Sequence, residues 1–355
     1  MRIFHCHRCG NVVAFAADQC PACDAPLGYV DGERTIRVLL PATESGSYRL
    51  DGNDLEGDDR RFWRCLNAAW GCNWVVPAGS DNSWCRSCQL TRGRPDESRP
   101  DAVEAWMAAE AAKRRLVHQL DELALPIDIR SASAPDGLAF DLVYLPGTGG
   151  ITGHLDGIVT LDLAETEEQH RDDLRRRLGE PFRTVIGHLR HEIGHHYWNR
   201  LIGQSNELQG FRRLFGDERV DYAGAIDQHY STVTTDWDAT RFVTAYAASH
   251  PMEDWAETFA HYLHIVDAVD TAVAYDLIPP GSTGVLVADV VGELAFTDLL
   301  DAWRPVNDAV NAIAETLGAP AVYPFQPMGV VVDKLTFVHR QITAHTARDR
   351  FYADH

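Results

Sequence analysis

The chain of 355 residues is 45% hydrophobic, long and apolar enough for two or three domains with real cores. Its net charge of −20 argues against general nucleic-acid binding. No run of eighteen apolar residues occurs, and the N-terminus, MRIFHCHRCG, lacks a signal-peptide core, so a cytoplasmic protein with no membrane partner is expected.

The charge is uneven: 12 Arg oppose 13 Asp and Glu in residues 1–100, so nearly all of the excess acid lies beyond residue 100. All eight cysteines precede residue 89. Cys6-x2-Cys9 and Cys20-x2-Cys23 open the chain. Each CxxC is a tight turn that aims two thiolates at one ion, and four thiolates close a tetrahedral structural zinc site. Two disulfides, the alternative, do not suit a chain without a signal peptide. Residues 35–40 (TIRVLL) read as a strand, and the acidic, Gly-rich stretch up to residue 60 reads as a loop. Cys65, Cys72, Cys85 and Cys88 form the second expected zinc site, with an interleaved pairing as the alternative. Trp63, Trp70, Trp74 and Trp84 supply apolar bulk that a small zinc module otherwise lacks. Such a near-neutral module suits a protein partner better than nucleic acid.

Residues 91–102 (TRGRPDESRPDA) form a polar linker. Val103, Trp106, Met107, Ala111, Leu116, Leu120 and Leu123 then recur near helical spacing, so 96–125 reads as linker plus connecting helix. Lys113-Arg114-Arg115 on that helix reads as a solvated face. Strands are expected at 126–131 and 138–145, joined by a Pro135-Asp136-Gly137 turn. A third lies in 151–165, where Val159, Leu161 and Leu163 alternate with Thr160, Asp162 and Ala164. Residues 166–178 read as a charged, solvent-facing helix.

Residues 188–198, HLRHEIGHHYW, contain His191, Glu192 and His195, an HExxH pattern. Four residues of an α-helix turn about 400° and advance about 6 Å, so the two imidazoles project from one face and can grip one metal ion. Glu192 lies beside them, within reach of a water molecule. Pro181 is placed to start this helix and Gly203 to stop it. Val185, Ile186, Leu189, Ile193, Tyr197, Trp198 and Leu201 give it a broad apolar surface, so it should be buried. Buried histidines with a Glu among them need partners. His188 and His196 read as packing or supporting residues.

A short helix is expected near 216–230. The stretch 244–264, TAYAASHPMEDWAETFAHYLH, holds a helix starting at Pro251. A catalytic zinc needs a third protein ligand and one open position. The metzincin pattern would require Gly at 198 and His at 201, where this chain has Trp198 and Leu201. Four other candidates lie downstream. His250 precedes Pro251, outside the regular helix, and is expected to be poorly fixed. Asp254 is short and points about 100° away from Glu253. Glu253 and Glu257 share a face, and spacing does not separate them. Helices follow over Phe296–Leu317 and 329–341, with a polar, frayed segment at 342–355.

HEIGHHYW followed by YAASHPMEDWAE resembles the gluzincin metallopeptidases. It is most similar to the lethal-factor type, in which a Tyr stands seven residues before the ligand Glu, as Tyr246 stands before Glu253. With both cysteine clusters, CNW at 72–74 and ITGH at 151–154, nearly the whole chain resembles a bacterial family of zinc-ribbon, zinc-binding metallopeptidases. The resemblance implies an α+β fold. A zinc-ribbon module with two four-cysteine zinc sites would cover 1–95. A mainly helical, zincin-like domain with a small β-sheet would cover 126–345, before a polar tail at 346–355. It further implies His191, His195 and Glu253 as ligands of one catalytic zinc beside the two structural ones. Glu192 would be the general base and Tyr246 the oxyanion donor. Glu257 would hold the free nitrogen of a ligating His. The implied activity is hydrolysis of a peptide or protein substrate. Independently of the resemblance, 158–163 alternate cleanly and precede the HExxH helix by one charged segment, so they are expected to be an edge strand beside the zinc on which an extended peptide would add. The rivals are a non-catalytic scaffold whose zinc ribbons bind a partner protein, and a hydrolase of a non-peptide amide.

Overall fold

The first 90 residues are built around their cysteines. The computed structural model describes residues 3–52, 60–144, 152–178, 182–231, 237–278 and 294–353. In it β1 (Phe4–His5) and β2 (Val12–Val13) pair antiparallel across the first CxxC, and the Gly10 N–H closes that turn on the Cys6 carbonyl at 2.8 Å. Five strands follow: β3 (Leu27–Val30), β4 (Thr35–Pro41), β5 (Ser47–Leu50), β6 (Phe62–Arg64) and β7 (Val75–Pro77). They form one antiparallel sheet in sequence order. β5 lies in the stretch expected to be a loop. Four residues are too few for a readable alternation, and the strand exists because β4 and β6 flank it. Residues 53–59 of that loop lie outside the described residues. The short α1 (Arg86–Gln89) carries Cys88. Of the four tryptophans expected to fill this module, Trp74 is fully buried and packs on Tyr29 at 4.4 Å between ring centroids. Trp63 and Trp70 are half-buried, whereas Trp84 is exposed.

α2 (Pro100–Glu122) joins the ribbon to the rest of the chain. One hydrophobic core runs from Phe4, Phe15 and Trp74 through Trp106, Leu116 and Leu120 to Phe259 and Phe337. The Tyr29 hydroxyl meets His118 Nδ1 of α2 at 2.9 Å in this core. α2 is therefore covered on both sides, and the expectation of a solvated Lys113-Arg114-Arg115 face is corrected: Lys113 and Arg114 are buried and only Arg115 is exposed. The Lys113 Nζ lies 2.6 Å from Glu110 Oε1, both side chains being fully buried, and the Arg114 Nη2 donates to the Gly71 carbonyl at 3.0 Å.

β8 (Ala139–Val143), β9 (Gly153–Leu155) and β10 (Ile158–Asp162) form a small sheet in the order β8-β10-β9, with β10 parallel to β8 and antiparallel to β9. The assignment of 158–163 as an edge strand is therefore corrected. β10 is the middle strand, its backbone is paired on both sides, and its alternation reflects the one buried face it shares with β8. The strand expected at 126–131 makes only an isolated bridge, Ile129 to Leu138. Leu145 and Ile151, included in the expected strands, lie outside the described residues.

The helices are α3 (Glu168–Leu178), α4 (Val185–Trp198), α5 (Leu208–Phe215), α6 (Tyr222–Ser231), α7 (Pro251–Ala274), α8 (Phe296–Thr316) and α9 (Val330–Ala353). Pro181 lies outside the described residues. α4 opens at Val185, capped by Thr184, whose hydroxyl accepts from the Gly187 N–H at 3.0 Å, and a π-helical turn ends its run at Gly203. α5 was not foreseen; it buries Phe211 and Phe215. α9 continues to Ala353, past the expected end near 341. The polar sequence there lacks Gly and Pro, so losing its apolar face does not stop the helix. α7 is the central helix, packed by α4, α5, α8 and α9. Among the described residues no helix is long and apolar enough to cross a membrane.

The buried Lys113–Glu110 pair yields a stability test. Lys113→Met leaves the Glu110 carboxylate without its closest cation and should cost about 3 kcal/mol. Glu110→Gln combined with Lys113→Met should recover most of that loss. Urea unfolding of the zinc-loaded protein, with Glu110→Gln alone as the third variant, measures the losses, and a double-variant loss equal to the sum of the two single losses would show that the pair is not coupled.

Candidate metal centre

The site exists because α4 and α7 cross closely. Gly194, inside HEIGH, is the point of contact: a Cβ there would stand 3.0 Å from the Ala256 Cα and 3.2 Å from its carbonyl oxygen. Across the same contact the Trp255 indole N–H donates to the Gly194 carbonyl at 2.9 Å. This approach carries Glu253, in the first turn of α7, up to the two histidines of α4.

The donor atoms of His191, His195 and Glu253 all lie within 4.8 Å of one another. His191 Nε2 is 3.0 Å from Glu253 Oε2, and His195 Nε2 is 3.5 Å from Glu253 Oε1. The His191 Nδ1–H donates to Glu257 Oε1 at 2.6 Å, so the carboxylate fixes the tautomer and turns the Nε2 lone pair toward Glu253. The other Glu257 oxygen accepts from the Thr244 hydroxyl at 2.8 Å. Glu253 Oε2 is buried and makes no hydrogen bond. An acceptor facing a lone pair at this distance calls for a cation between them. Glu192 is buried as well, and its Oε2 has no hydrogen-bond partner. Three carboxylates around two imidazoles leave excess negative charge in a low dielectric, which is costly without a cation. Two nitrogens and one carboxylate oxygen are the donor set of a catalytic zinc, and these residues fit that ion.

The titration behaviour has the same cause. Burial pushes the Glu192 carboxyl upward, against the pull of His191 and His195. Burial also opposes ionisation of Glu253, but the adjacent His191 and His195 imidazoles outweigh it and hold that carboxyl well below the usual range. Glu257, likewise opposed by burial, is brought down to about 2 by its bond to His191. Burial of His191 is in turn outweighed by the two carboxylates, so its imidazole is driven upward. The cluster draws positive charge to itself.

Tyr246, on the loop before α7, lies with its ring centroid 5.8 Å from that of His191. With His188, His191, Glu192 and Glu257 it lines a cavity of about 230 Å³. His250 is buried and well fixed, contrary to expectation, but as a cap: its Nδ1 accepts from the Met252 N–H at 3.1 Å, and its Nε2 meets the Val220 carbonyl at 3.2 Å. Asp254 turns away to Lys334 Nζ at 2.6 Å. His196 packs against His154, 5.8 Å between ring centroids. Two contributors carry no sequence signal. Thr244 is one polar residue among many in a loop. Tyr222, whose hydroxyl donates to Glu253 Oε1 at 2.7 Å, comes from a separate polar helix.

The cysteines converge in the two sets expected from sequence, Cys6, Cys9, Cys20 and Cys23, and Cys65, Cys72, Cys85 and Cys88; the interleaved pairing does not occur. Cys6–Cys23 and Cys9–Cys20 sulfurs stand 3.7 and 3.6 Å apart, and Cys72–Cys85 and Cys72–Cys88 both 3.7 Å. Disulfides would be near 2.05 Å. A tetrahedron with zinc–sulfur arms of about 2.3 Å has edges of about 3.8 Å, so the sulfur spacing fits zinc.

Two four-cysteine zinc sites and a helix-borne histidine–glutamate cluster define a zinc-binding protein with a ribbon module and a helical metal centre. Residues 102–341 match the family described as "Putative zinc-binding metallo-peptidase", and residues 3–99 match a zinc-ribbon domain. The chain belongs to that zinc-binding metallopeptidase family. It is 39% identical over 341 residues, covering 96% of this chain and 94% of the relative, to an uncharacterized protein of Mycobacterium bovis. Uncharacterized proteins of two Mycobacterium tuberculosis strains match to the same extent. No solved structure matches the chain.

The two glutamates of α7 should separate in a metal assay. After dialysis against a mild chelator, Glu253→Ala should hold one zinc fewer than the parent protein, with both four-cysteine sites still filled. Glu257→Ala should weaken affinity at the same site by about 10–100-fold, the usual effect of losing a partner that orients a ligand. A site emptied by Glu257→Ala and untouched by Glu253→Ala would reverse the two assignments.

Proposed function

We propose that the protein hydrolyses peptide bonds as a gluzincin-type zinc metallopeptidase. The observation that carries this reading is the buried Glu192 carboxylate, with an unbonded oxygen, facing a cavity beside the His191–His195–Glu253 cluster. Zinc held by those three residues would supply the Lewis acid that polarises a scissile carbonyl and makes water a nucleophile near neutral pH.

The protein's own groups do the rest. Glu192 accepts the proton of the attacking water and returns it to the leaving nitrogen. Its burial, which raises the affinity of the carboxyl for a proton, suits a group that must hold that proton between the two steps. Tyr246, at the cavity wall next to His191, donates a hydrogen bond to the oxyanion. Glu257 fixes the His191 ring through Nδ1, and Thr244 fixes Glu257. Among the described residues β9 is an edge strand of the small sheet, and its His154 ring lies 6.4 Å from that of His195. An extended substrate adding to β9 would run past the metal centre. The zinc ribbons serve as a protein-contact module in the same reading.

Incubation with an unstructured protein substrate should give cleavage that a chelator abolishes and zinc restores. Glu192→Gln should retain the metal and lose nearly all turnover. Tyr246→Phe should retain it and lose on the order of 10²–10³ in kcat. Full turnover in Glu192→Gln would reject the mechanism, and full turnover in Tyr246→Phe would leave that residue a packing role.

A further inference from the structure

Glu253 has one hydrogen-bond partner among the described residues, and it comes from outside the two helices that form the site. The Tyr222 hydroxyl donates to Glu253 Oε1 at 2.7 Å. The carboxylate is almost fully buried, whereas Tyr222 is 47% exposed and stands at the first position of α6, a helix with no buried residue. A surface tyrosine reaching into a buried metal cluster is not explained by packing.

The local structure directs it there. His250 caps α7, the helix that carries Glu253, and its Nε2 bonds the Val220 carbonyl two residues before Tyr222. The Tyr222 ring packs edge-on against the His250 ring at 5.0 Å. Gly216 begins the segment at φ 106°, a left-handed turn, and brings the chain against Pro251 at the start of α7. The start of α7 and the approach to α6 are thereby one unit, and Tyr222 and Glu253 are held in register.

The two oxygens of Glu253 are in different circumstances. Oε2 lies 3.0 Å from His191 Nε2 and is buried without a hydrogen bond, while Oε1, 3.5 Å from His195 Nε2, accepts from Tyr222. The terminal torsion of a glutamate is soft, so packing alone does not set the carboxylate plane. A zinc ligand of this kind can bind through one oxygen or both, and a catalytic site with three protein ligands must keep a position open for water and substrate. Binding through both oxygens would fill that position.

We propose that Tyr222 is a positioning residue of the metal site: its hydroxyl engages Glu253 Oε1, restricts the carboxylate to one-oxygen ligation through Oε2, and so keeps a coordination position open. This role rests on the reading of His191, His195 and Glu253 as zinc ligands. It adds a residue from a separate surface helix to the machinery.

The test uses the full-length protein with its four-cysteine sites loaded with zinc. A mild chelator empties the histidine–glutamate site, which is refilled with Co2+, and the visible spectrum is taken as a difference against His191→Ala treated identically. The wild type should give the intense bands of four-coordinate Co2+. Tyr222→Phe should give the weaker bands of higher coordination, bind the metal about 10–100-fold less tightly, and lose kcat with KM little changed. With the histidine–glutamate site emptied, its heat-unfolding midpoint should match that of the wild type emptied in the same way, because no metal-linked stability then separates the two. A Tyr222→Phe protein with the wild-type spectrum and wild-type metal retention overturns the proposal and leaves the three-ligand site intact. Equal Co2+ uptake by wild type and His191→Ala rejects the site itself, and this role with it.

Discussion

The metal centre depends on how closely two helices pass. Glu253 is a short reach from the α4 histidines only because α4 and α7 meet at Gly194 and Ala256, where backbone nearly touches backbone. Any side chain at position 194 would push the helices apart. The Trp255 bond to the Gly194 carbonyl also closes this seam with a directional contact. The glycine within HEIGH is thus as much a part of the site as the histidines, although it donates no atom to it.

Closeness creates an electrostatic problem that the rest of the site resolves. Glu192, Glu253 and Glu257 share a small volume with His191 and His195. Their mutual repulsion would be severe in a low dielectric. Each carboxylate is treated differently. Glu257 is tied to His191 and Thr244, Glu253 is faced by both imidazoles and bonded by Tyr222, and Glu192 keeps a bare oxygen. In the proposed mechanism that division separates the reactive carboxylate from the supporting ones: a group already satisfied by hydrogen bonds has little capacity to take a proton from water.

The sequence made some of this legible and hid the rest for physical reasons. The cysteine sets could be read because a knuckle is a local turn, with its spacing written in consecutive residues. The α4 histidines could be read because a helix converts a four-residue interval into a shared face. Glu253 and Glu257 were indistinguishable by spacing, since both lie on one stripe of α7. They differ only in which nitrogen of His191 each meets, and that depends on the helix crossing. Tyr222 was invisible because its relation to Glu253 spans 31 positions and passes through a cap and a turn. The misreading of Lys113 and Arg114 has a similar origin. A charge run marks a solvated face only if nothing covers it, and what covers α2 is folded from residues far away in sequence. The order of a three-stranded sheet is also non-local, which is why the alternation in 158–163 marked a buried face correctly and an edge wrongly.

α2 explains why the ribbon and the helical region share one core. Cys88 Sγ of the second cysteine set lies 3.9 Å from Glu110 Oε2, and Glu110 is bound in turn to Lys113 and, through a short bond, to Thr91. Lys113 and Arg114 are the buried cations paired with Glu110, the carboxylate next to Cys88. Further along the same helix, the Gln119 amide donates to the Leu263 carbonyl of α7 at 2.7 Å and accepts from the Arg190 Nε of α4 at 3.0 Å. Arg190 directly precedes His191. α2 therefore makes buried polar contacts at two places, one beside the second cysteine set and one with both helices that build the metal centre. α2, packed on the ribbon's α1 on one side and on α4 on the other, is therefore the element that the two regions share.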